Sequence, residues 1–140
     1  MGLRTLLYVS KSLIPQDEAQ RQIDSIIETA RPRNAALGVT GVLIFTEARF
    51  AQVLEGPSAA IDEIMAGIRA DPRHEQVTTA CDEPLERRRF PSWSMGYSGS
   101  SLYVDRHIKP LLKPVVEARD RREMAGRLLY LMEELTRAAA

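Results

Sequence analysis

Two hydrophobic periods alternate along the first hundred residues of the chain. Apolar runs of strand length, several with a period of two, predict β-strands at residues 3–10, 38–45, 50–54, 76–84 and 88–97. Apolar residues at helical spacing predict one helix after the first strand and another after the third. The resulting βαββαββ order is typical of an α+β, ferredoxin-like sheet with one added strand.

Both helices of this pattern carry an apolar stripe. The first helix begins near Pro15, and Pro32 is predicted to end it. The second begins at Ser58, a predicted N-cap, and ends near Asp71. The stripes consist of Ile23, Ile26, Ile27 and Ala30 in the first helix and of Ile61, Ile64, Met65 and Ile68 in the second. Right-handed crossovers place both helices on the same face of the sheet.

The last part of the chain is predicted to cover the opposite sheet face. Asp105 can cap a short helical segment, and a longer helix is predicted at residues 119–138. The apolar residues of these elements are Ile108, Leu111, Leu112, Val115 and Val116, followed by Met124, Leu128, Leu131, Met132 and Leu135. We therefore divide the chain into a core, residues 1–98, and a helical extension, residues 99–140, that packs on it.

Composition and charge exclude several classes of protein. A chain of 140 residues fits one domain, and its 19 basic residues balance 19 acidic ones, which gives no reason to expect nucleic-acid binding. The three arginines at residues 87–89 are best explained as a solvated turn. No secretory signal or apolar run of about 18 residues stands out, so a cytoplasmic location without a membrane span is expected. The single cysteine, Cys81, permits no intramolecular disulfide, and no metal site is expected.

A primary amide stands among apolar residues in the third predicted strand. With a side-chain period of two, Phe50, Gln52 and Leu54 share one face. A buried amide without a partner costs about 1–3 kcal/mol, so another side chain or a ligand is expected to bond to it. The candidate partners are Tyr8 on the first strand and Trp93 and Met95 on the last.

These residues and their surroundings resemble the BLUF family of blue-light sensors that use flavin. The resemblance covers roughly residues 3–98, with the sequence GVTGVLIFTEARFAQVLEGPSAAI at residues 38–61, DPRH at 71–74 and WSMG at 93–96. Tyr8 and Asn34 precede the long motif, so an amide, a phenol and a Trp-x-Met sequence recur in the family's order. The resemblance implies a stand-alone photoreceptor that signals to a separate protein and is not an enzyme.

The resemblance also implies where the flavin binds. The ring is expected between the two helices, with FAD preferred and FMN or riboflavin as alternatives. The residues implied to bind the cofactor are Tyr8, Ile23, Ile26, Arg33, Asn34, Gln52, Ile64, Ile68, Asp71, Arg73 and His74. Two groups have an ordinary structural explanation as well: the isoleucines as core residues, and Asn34 as a residue tolerated at a helix end.

Four residues are implied to be photoactive: Tyr8, Gln52, Trp93 and Met95. Tyr8 would supply an electron and a proton to the excited flavin. Gln52 can both donate and accept hydrogen bonds, so its reorientation or tautomerisation rewires the contacts without a net reaction. The sequence leaves open which of Trp93 and Met95 faces Gln52 in the dark.

The chain departs from the family pattern at two positions. Arg33 stands where an amide is frequent, and Gly67 stands where a basic residue is often found. The sequence therefore does not determine which residues contact the ring carbonyls and the phosphate. A thiol adduct at Cys81, as in another class of flavin photoreceptor, is a further alternative, although a strand cysteine is more often a small hydrophobe.

Two functions from other classes compete with the photoreceptor. One is a chromophore-free regulatory module, and the other is a small ferredoxin-like hydrolase, for which the usual glycine-rich anion loop is missing. For the photoreceptor, the expected partner is a downstream protein or a second copy of the chain, bound through the C-terminal helices or the sheet surface. Neither nucleic acid nor a membrane is expected as a partner.

Overall fold

Strands and helices alternate as the hydrophobic pattern predicts. The computed structural model describes residues 2–113 and 117–138, so the predicted apolar residues Val115 and Val116 lie outside the described part. The elements are β1 (Leu3–Ser12), α1 (Ala19–Ala36), β2 (Thr40–Phe45), β3 (Arg49–Gly56), α2 (Ser58–Ala70), β4 (His74–Leu85), β5 (Trp93–Ser98), α3 (Leu102–Asp105) and α4 (Ala118–Ala138), with 3-10 turns at Gln16–Glu18 and Lys109–Leu112. Within the described ranges, no helix has an apolar stretch long enough to cross a bilayer.

The five strands form one sheet in the order β4-β1-β3-β2-β5. β1 pairs antiparallel with both β3 and β4, and β2 pairs antiparallel with β3. β5 joins the remaining side of β2 as a parallel neighbour. The first four strands thus have the ferredoxin-like arrangement and β5 is the added strand, which confirms the predicted fold class.

Strand alternation separates the interior into two apolar clusters, one on each face of the sheet. On the first face, which we call the α1/α2 face, strand residues pack against the two crossover helices; the cluster includes Leu6, Tyr8, Leu43, Phe50, Leu54, Ile23, Ile61 and Ile64. On the second, the α4 face, they pack against the C-terminal elements; the cluster includes Leu7, Val9, Val42, Val53, Val104, Ile108, Leu111, Leu128 and Met132. The C-terminal residues therefore bury the sheet face that α1 and α2 leave uncovered.

A bulge in β5 interrupts this alternation. Leu43 pairs with Met95 and Ile44 with Tyr97, so Gly96 is the extra residue on β5. Met95 consequently packs on the α1/α2 face and Tyr97 on the α4 face, although the two are only two residues apart. A Cβ at position 96 would lie 2.6 Å from a methyl carbon of Val42, so the close approach of β2 requires glycine there.

The predicted end of α1 at Pro32 is wrong, because α1 continues to Ala36. Pro32 removes one helical hydrogen bond, to the carbonyl of residue 28 on the exposed side of the helix, where water can replace the lost donor. Gly38 ends the helix with a φ of 71°, and its N–H donates to Ala35 O while the next N–H donates to Asn34 O. These two bonds form a Schellman motif, which a residue with a Cβ adopts only with strain.

The two predicted N-caps are also wrong. Pro57 occupies the N-cap of α2, and Ser58 instead accepts a hydrogen bond of 3.2 Å from the Arg4 guanidinium. Ser101 caps α3, since its hydroxyl accepts from the Val104 N–H at 3.1 Å. Asp105 lies at the end of α3, where its carboxylate accepts from Arg49 Nη1 at 2.6 Å. The Asp105 carboxylate therefore bonds to Arg49 on the β2–β3 hairpin and not to the backbone N–H groups at the start of a helix.

The last strand begins later than predicted, at Trp93 instead of residue 88. In the segment that precedes it, the backbone N–H groups of Arg89 and Phe90 donate to the carboxylate of Glu55. Because these N–H groups bond to a side chain, they are not available to a strand ladder. Arg88, from the arginine cluster, donates to backbone carbonyls of Gly38 and Glu55.

Candidate functional site

A cleft lies between α1, α2 and the α1/α2 face of the sheet, with a cavity volume of about 140 Å³. Its lining combines aliphatic and aromatic side chains with polar groups from both helices and the sheet. The lining residues are Tyr8, Ile26, Thr29, Ala30, Arg33, Leu43, Phe50, Gln52, Gly67, Ile68, Asp71, Arg73, His74 and Trp93. An apolar slot with a few directed polar groups suits a flat, partly polar ligand.

Three side chains at the base of the cleft form a hydrogen-bonded chain. Tyr8 and Gln52 stand opposite each other in the β1–β3 register, and Gln52 Nε2 donates to the Tyr8 hydroxyl oxygen at 2.9 Å. Trp93 Nε1 donates to Gln52 Oε1 at 2.8 Å. All three residues are buried, with 3%, 4% and 6% of their surface exposed. The buried amide thus has both predicted kinds of partner, a phenol and the indole.

The Trp93 indole determines which way the Gln52 amide points. An indole nitrogen can only donate, so the atom of Gln52 that faces it is the oxygen. The amide nitrogen then faces Tyr8 and uses the phenol oxygen as an acceptor. Tyr8 therefore keeps its own hydroxyl proton available for another acceptor in the cleft.

Met95 lies on the α1/α2 face, as predicted, but does not line the cleft. It pairs with Leu43 across β2, two residues beyond Trp93. In this structure Trp93, and not Met95, faces Gln52.

Burial raises the pKa of the Tyr8 phenol well above its usual range, and the hydrogen bond from Gln52 only partly opposes this effect. The unfolded chain would lose the Tyr8 proton near pH 10, whereas the folded chain keeps it. The contribution of Tyr8 to stability is therefore complete below about pH 10 and declines as pH rises through the raised pKa.

Wild type and a Tyr8→Phe variant are expected to show the same tyrosinate absorbance up to about pH 11, because Tyr8 stays protonated there. The measurement is an ultraviolet pH titration of both proteins under conditions where circular dichroism shows that they stay folded. An excess of one tyrosinate in wild type near pH 10 would show that the phenol is not buried in this way.

Of the four predicted isoleucines, two line the cleft and two do not. Ile26 on α1 and Ile68 on α2 both line it. Ile23 and Ile64 lie in the α1/α2 cluster with 1% and 2% of their surface exposed, outside the lining. Ile23 and Ile64 are therefore ordinary core residues in this structure.

Charged residues stand together among the residues that line the cleft. Arg33 from α1 donates to the Asn34 amide oxygen at 3.1 Å. Beyond α2, Asp71 forms an ion pair with Arg73 at 2.6 Å. Burial alone would raise the pKa of Asp71, but hydrogen bonds from the Arg73 side chain and backbone outweigh it and lower that pKa. These groups bring two guanidinium groups and one carboxylate to the cleft.

His74 is held from both sides of its ring. Nε2 lies 2.6 Å from Ile68 O, and because a carbonyl can only accept, Nε2 carries a proton. Nδ1 lies 2.7 Å from the hydroxyl of the buried Ser10. The ring packs edge-on against Tyr8 and Phe50, with centroid distances of 6.2 and 5.7 Å. These contacts hold the His74 ring in one orientation beside Tyr8 and Phe50.

Asn34 is fully buried in α1 next to the lining residue Arg33 but does not itself line the cavity, and its Nδ2 has no hydrogen-bond partner among the described residues. An orphaned buried amide costs about 1–3 kcal/mol unless a ligand accepts its proton. A flavin ring carries carbonyl acceptors along one edge and apolar faces, which match this amide and the Ile26 and Ile68 walls. The residues present therefore fit a flavin.

Five lining residues were not predicted as site residues: Thr29, Ala30, Leu43, Phe50 and Gly67. Two signals in the sequence point to four of them. Thr29 and Ala30 fall at helical spacing between Ile26 and Arg33, and Leu43 and Phe50 lie on the strand face that also presents Gln52. Gly67 carries no side chain that could be predicted to bind, and only the resemblance to the family, in which a basic residue is often found at this position, draws attention to it.

Cys81 lies across the sheet from the cleft. It pairs with Leu7 and packs, half-buried, against the cluster on the α4 face. Burial, reinforced by the nearby Glu83 carboxylate, raises the pKa of its thiol. A thiol adduct with a ligand in the cleft is therefore contradicted by the geometry.

Comparisons with known proteins identify the family of the chain. The family model described as "Sensors of blue-light using FAD" matches residues 3–96. Photoactivated adenylate cyclase subunit beta of Euglena gracilis is 39% identical over 94 residues, which are 66% of this chain and 11% of that protein. The blue light- and temperature-regulated antirepressor BluF of Escherichia coli (strain K12) is 35% identical over 101 residues, 72% of this chain and 23% of that protein.

The chain thus spans only about a tenth to a quarter of the length of these curated relatives. Among solved structures, "BlrB - a BLUF protein, dark state structure" is 29% identical, with a TM-score of 0.71, and the match covers 99% of this chain and 98% of that one. With a family model that matches well over half of its residues and a cleft whose polar groups suit a flavin, the chain belongs to the BLUF family of blue-light flavin sensors.

Proposed function

We propose that the cleft holds FAD and that light absorbed there is recorded in the hydrogen-bonded chain of Tyr8, Gln52 and Trp93. The observation that carries the proposal is the pair of bonds at Gln52, one to a phenol and one to an indole, both buried. FAD is preferred because the family description names it. FMN and riboflavin share the ring, so the same cleft would take them.

The orphaned amide of Asn34 would donate to a ring carbonyl, and Ile26 and Ile68 would pack on the two ring faces. Arg33 and Arg73 stand close enough to the cleft to meet phosphate oxygens, and Asp71 holds Arg73 in place through its ion pair. Asp71 would therefore act by positioning a cation and not by contacting the anion itself.

A bound flavin supplies a photo-excited state that is a strong oxidant. Tyr8 is suited to respond to it, because a phenol can give up an electron and then its hydroxyl proton, and can regain both as the dark state returns. Its hydroxyl is not already donating to Gln52, so its proton is free to move when the phenol is oxidised. A phenylalanine at this position could not do so.

Trp93 restricts how Gln52 can respond. Rotation of the amide by half a turn would bring its NH₂ group against the indole N–H, which places two donors face to face. Either the Trp93 bond breaks during the rotation, or the amide changes its tautomer in place. In both cases a rearrangement at Gln52 changes the hydrogen bond that holds the first residue of β5.

The purified 140-residue chain, supplied with FAD, is expected to be yellow and to show a reversible shift of its flavin band to longer wavelength under blue light. The measurement is a visible spectrum in the dark, after illumination and during dark recovery, with the flavin extracted and identified afterwards. A preparation that refuses added FAD, FMN and riboflavin would refute flavin binding and return the chain to the chromophore-free alternative.

For the output, we propose that the division into a core at residues 1–98 and an extension at residues 99–140 is functional: the described C-terminal elements, α3 and α4, would signal to a separate protein or to a second copy, and the chain itself would not be an enzyme. Support comes from the packing of α4 on the sheet and from exposed apolar side chains at Leu102, Tyr103 and Tyr130. Hydrogen exchange in the same light and dark samples tests this route. Unchanged protection at residues 101–112 and 118–137 during a normal spectral cycle would exclude it.

A further inference from the structure

The segment between β4 and β5 has no regular structure, yet a buried carboxylate fixes its position. Glu55 on β3 is fully buried. Its Oε1 accepts the backbone N–H groups of Arg89 at 2.9 Å and Phe90 at 3.0 Å. Three residues after Phe90, the chain enters β5 at Trp93.

A guanidinium group reinforces this attachment from the other side. Arg88 donates to Thr40 Oγ1 at 2.7 Å, to Gly38 O at 2.8 Å and to Glu55 O at 2.8 Å. The three acceptors belong to the end of β3, the start of β2 and the turn that follows α1. The segment before β5 is thus joined to β3, the strand that carries Gln52, and to its neighbour β2.

The geometry links Glu55 to the hydrogen-bonded chain of Tyr8, Gln52 and Trp93. β2 lies between β3 and β5, with Thr40 opposite Glu55 and Gly41 opposite Trp93. Gln52 and Glu55 are three residues apart on β3, and they contact Trp93 and Phe90, which are three residues apart on the other segment. Two attachment points at matching separation fix both the position and the direction of the segment that enters β5.

Burying a carboxylate costs free energy, and here hydrogen bonds from backbone N–H groups offset part of that cost. Among the described residues, Glu55 forms no salt bridge within 4.0 Å. Burial raises its pKa, and the N–H bonds from Phe90 and Arg89 only partly oppose that effect. Such a group is retained at lower cost when the N–H groups it meets have no other acceptor, as in this irregular segment.

We propose that Glu55 is a positioning residue for the photoresponse: with Arg88, it holds the segment at residues 88–92 so that Trp93 Nε1 reaches the Gln52 amide oxygen. The inference rests on the proposed function of the Tyr8, Gln52 and Trp93 chain. Glu55 does not touch the cleft and acts only through the placement of Trp93.

Trp93 is the only tryptophan in the sequence, so its indole N–H gives a single assignable signal. In Glu55→Gln, the amide oxygen can still accept the two N–H groups that Oε1 accepts, but the negative charge that strengthens both bonds is lost. An NH₂ group also replaces the oxygen that lies 3.1 Å from Arg89 N, so donor faces donor and the attachment of the segment weakens. The flavin-loaded variant is compared in the dark with wild type and with Gln52→Leu, which removes the acceptor. The indole ¹⁵N–¹H resonance of Glu55→Gln is expected to move from the wild-type position toward that of Gln52→Leu, and dark recovery is expected to change by about tenfold.

Glu83→Gln is the matched control. Glu83 is exposed on β4 and stands opposite the same β1 residue, Thr5, that pairs with Glu55, and its variant is expected to keep the wild-type resonance. If Glu55→Gln does not fold, Arg88→Gln tests the same attachment and is expected to shift the signal in the same direction. An unmoved indole resonance in a folded variant, while Gln52→Leu moves it, would overturn the proposal. A wild-type protein without a light-induced shift would refute the proposed function instead, since the indole measurement does not need illumination.

Discussion

Tyr8→Phe is expected to bind flavin and to lose the stable light-induced red shift completely. The ring of phenylalanine fills the same space beside His74 and Gln52, so the cleft keeps its shape. What disappears is the hydroxyl, which is both the acceptor for Gln52 and the source of the proton. Because the buried Gln52 Nε2 loses its acceptor, the free energy of unfolding is expected to fall by about 1–3 kcal/mol, less than the stability of a typical domain, so the variant should remain folded.

The measurement is the spectral cycle together with a urea unfolding curve. Tyr130→Phe is the matched control, because Tyr130 has 63% of its surface exposed on α4, on the other side of the sheet from the cleft. It should retain the full photocycle. A Tyr8→Phe protein with a normal red shift and normal recovery would show that the phenol is a packing residue, and the role of Gln52 would need another partner.

Gly41→Ala is expected to destabilise the fold more than a methyl group added at any other glycine of the chain. Gly41 has a φ of 150°, and a Cβ at this position would lie 1.8 Å from Val53 O. β2 and β3 would have to separate at the pair formed by Gly41 and Leu54, in the interior of the sheet. A loss of roughly 4 kcal/mol or more is expected, a large share of the total stability of a domain.

Chemical unfolding followed by circular dichroism checks this prediction, with soluble yield as a second readout. Gly126→Ala serves as the control, because an added Cβ there meets nothing within 4 Å and the residue is exposed in α4. That variant should gain up to about 1 kcal/mol from helix propensity. Equal midpoints for Gly41→Ala and wild type would mean that β2 can move away from β3 without cost.

The order of the elements and the faces of the sheet follow from the sequence because they depend on period alone. A period of two sorts the residues of each strand by face, as it does for Phe50, Gln52 and Leu54 in β3, and the helical stripes of α1 and α2 cover the face that carries these three. The helix ends are less predictable, because they depend on contacts that are distant in the chain. Pro32 is tolerated inside α1, and Asp105 is recruited by Arg49 instead of capping a helix.

The candidate site shows the same division. That Gln52 needs a partner follows from its position in an apolar strand, but that both Tyr8 and Trp93 bond to it depends on strand register across sequence separations of 44 and 41 residues. Which isoleucines line the cleft depends on the rotation of each helix about its axis. That rotation brings Ile26 and Ile68 into the lining and leaves Ile23 and Ile64 outside it. Glu55 gives no signal in the sequence, because its partners are backbone groups of an irregular segment.

The bulge at Gly96 gives β5 a property that a regular strand lacks. A regular strand turns residues two positions apart to the same side of a sheet, so without the bulge Trp93, Met95 and Tyr97 would all lie under α1 and α2. In β5 the residues on either side of Gly96 are anchored in opposite clusters, Met95 under α1 and α2 and Tyr97 under α4. A displacement of this edge strand that starts at Trp93 would therefore reach the α4 side of the sheet through Tyr97, whose side chain a strand without the bulge would direct toward α1 and α2.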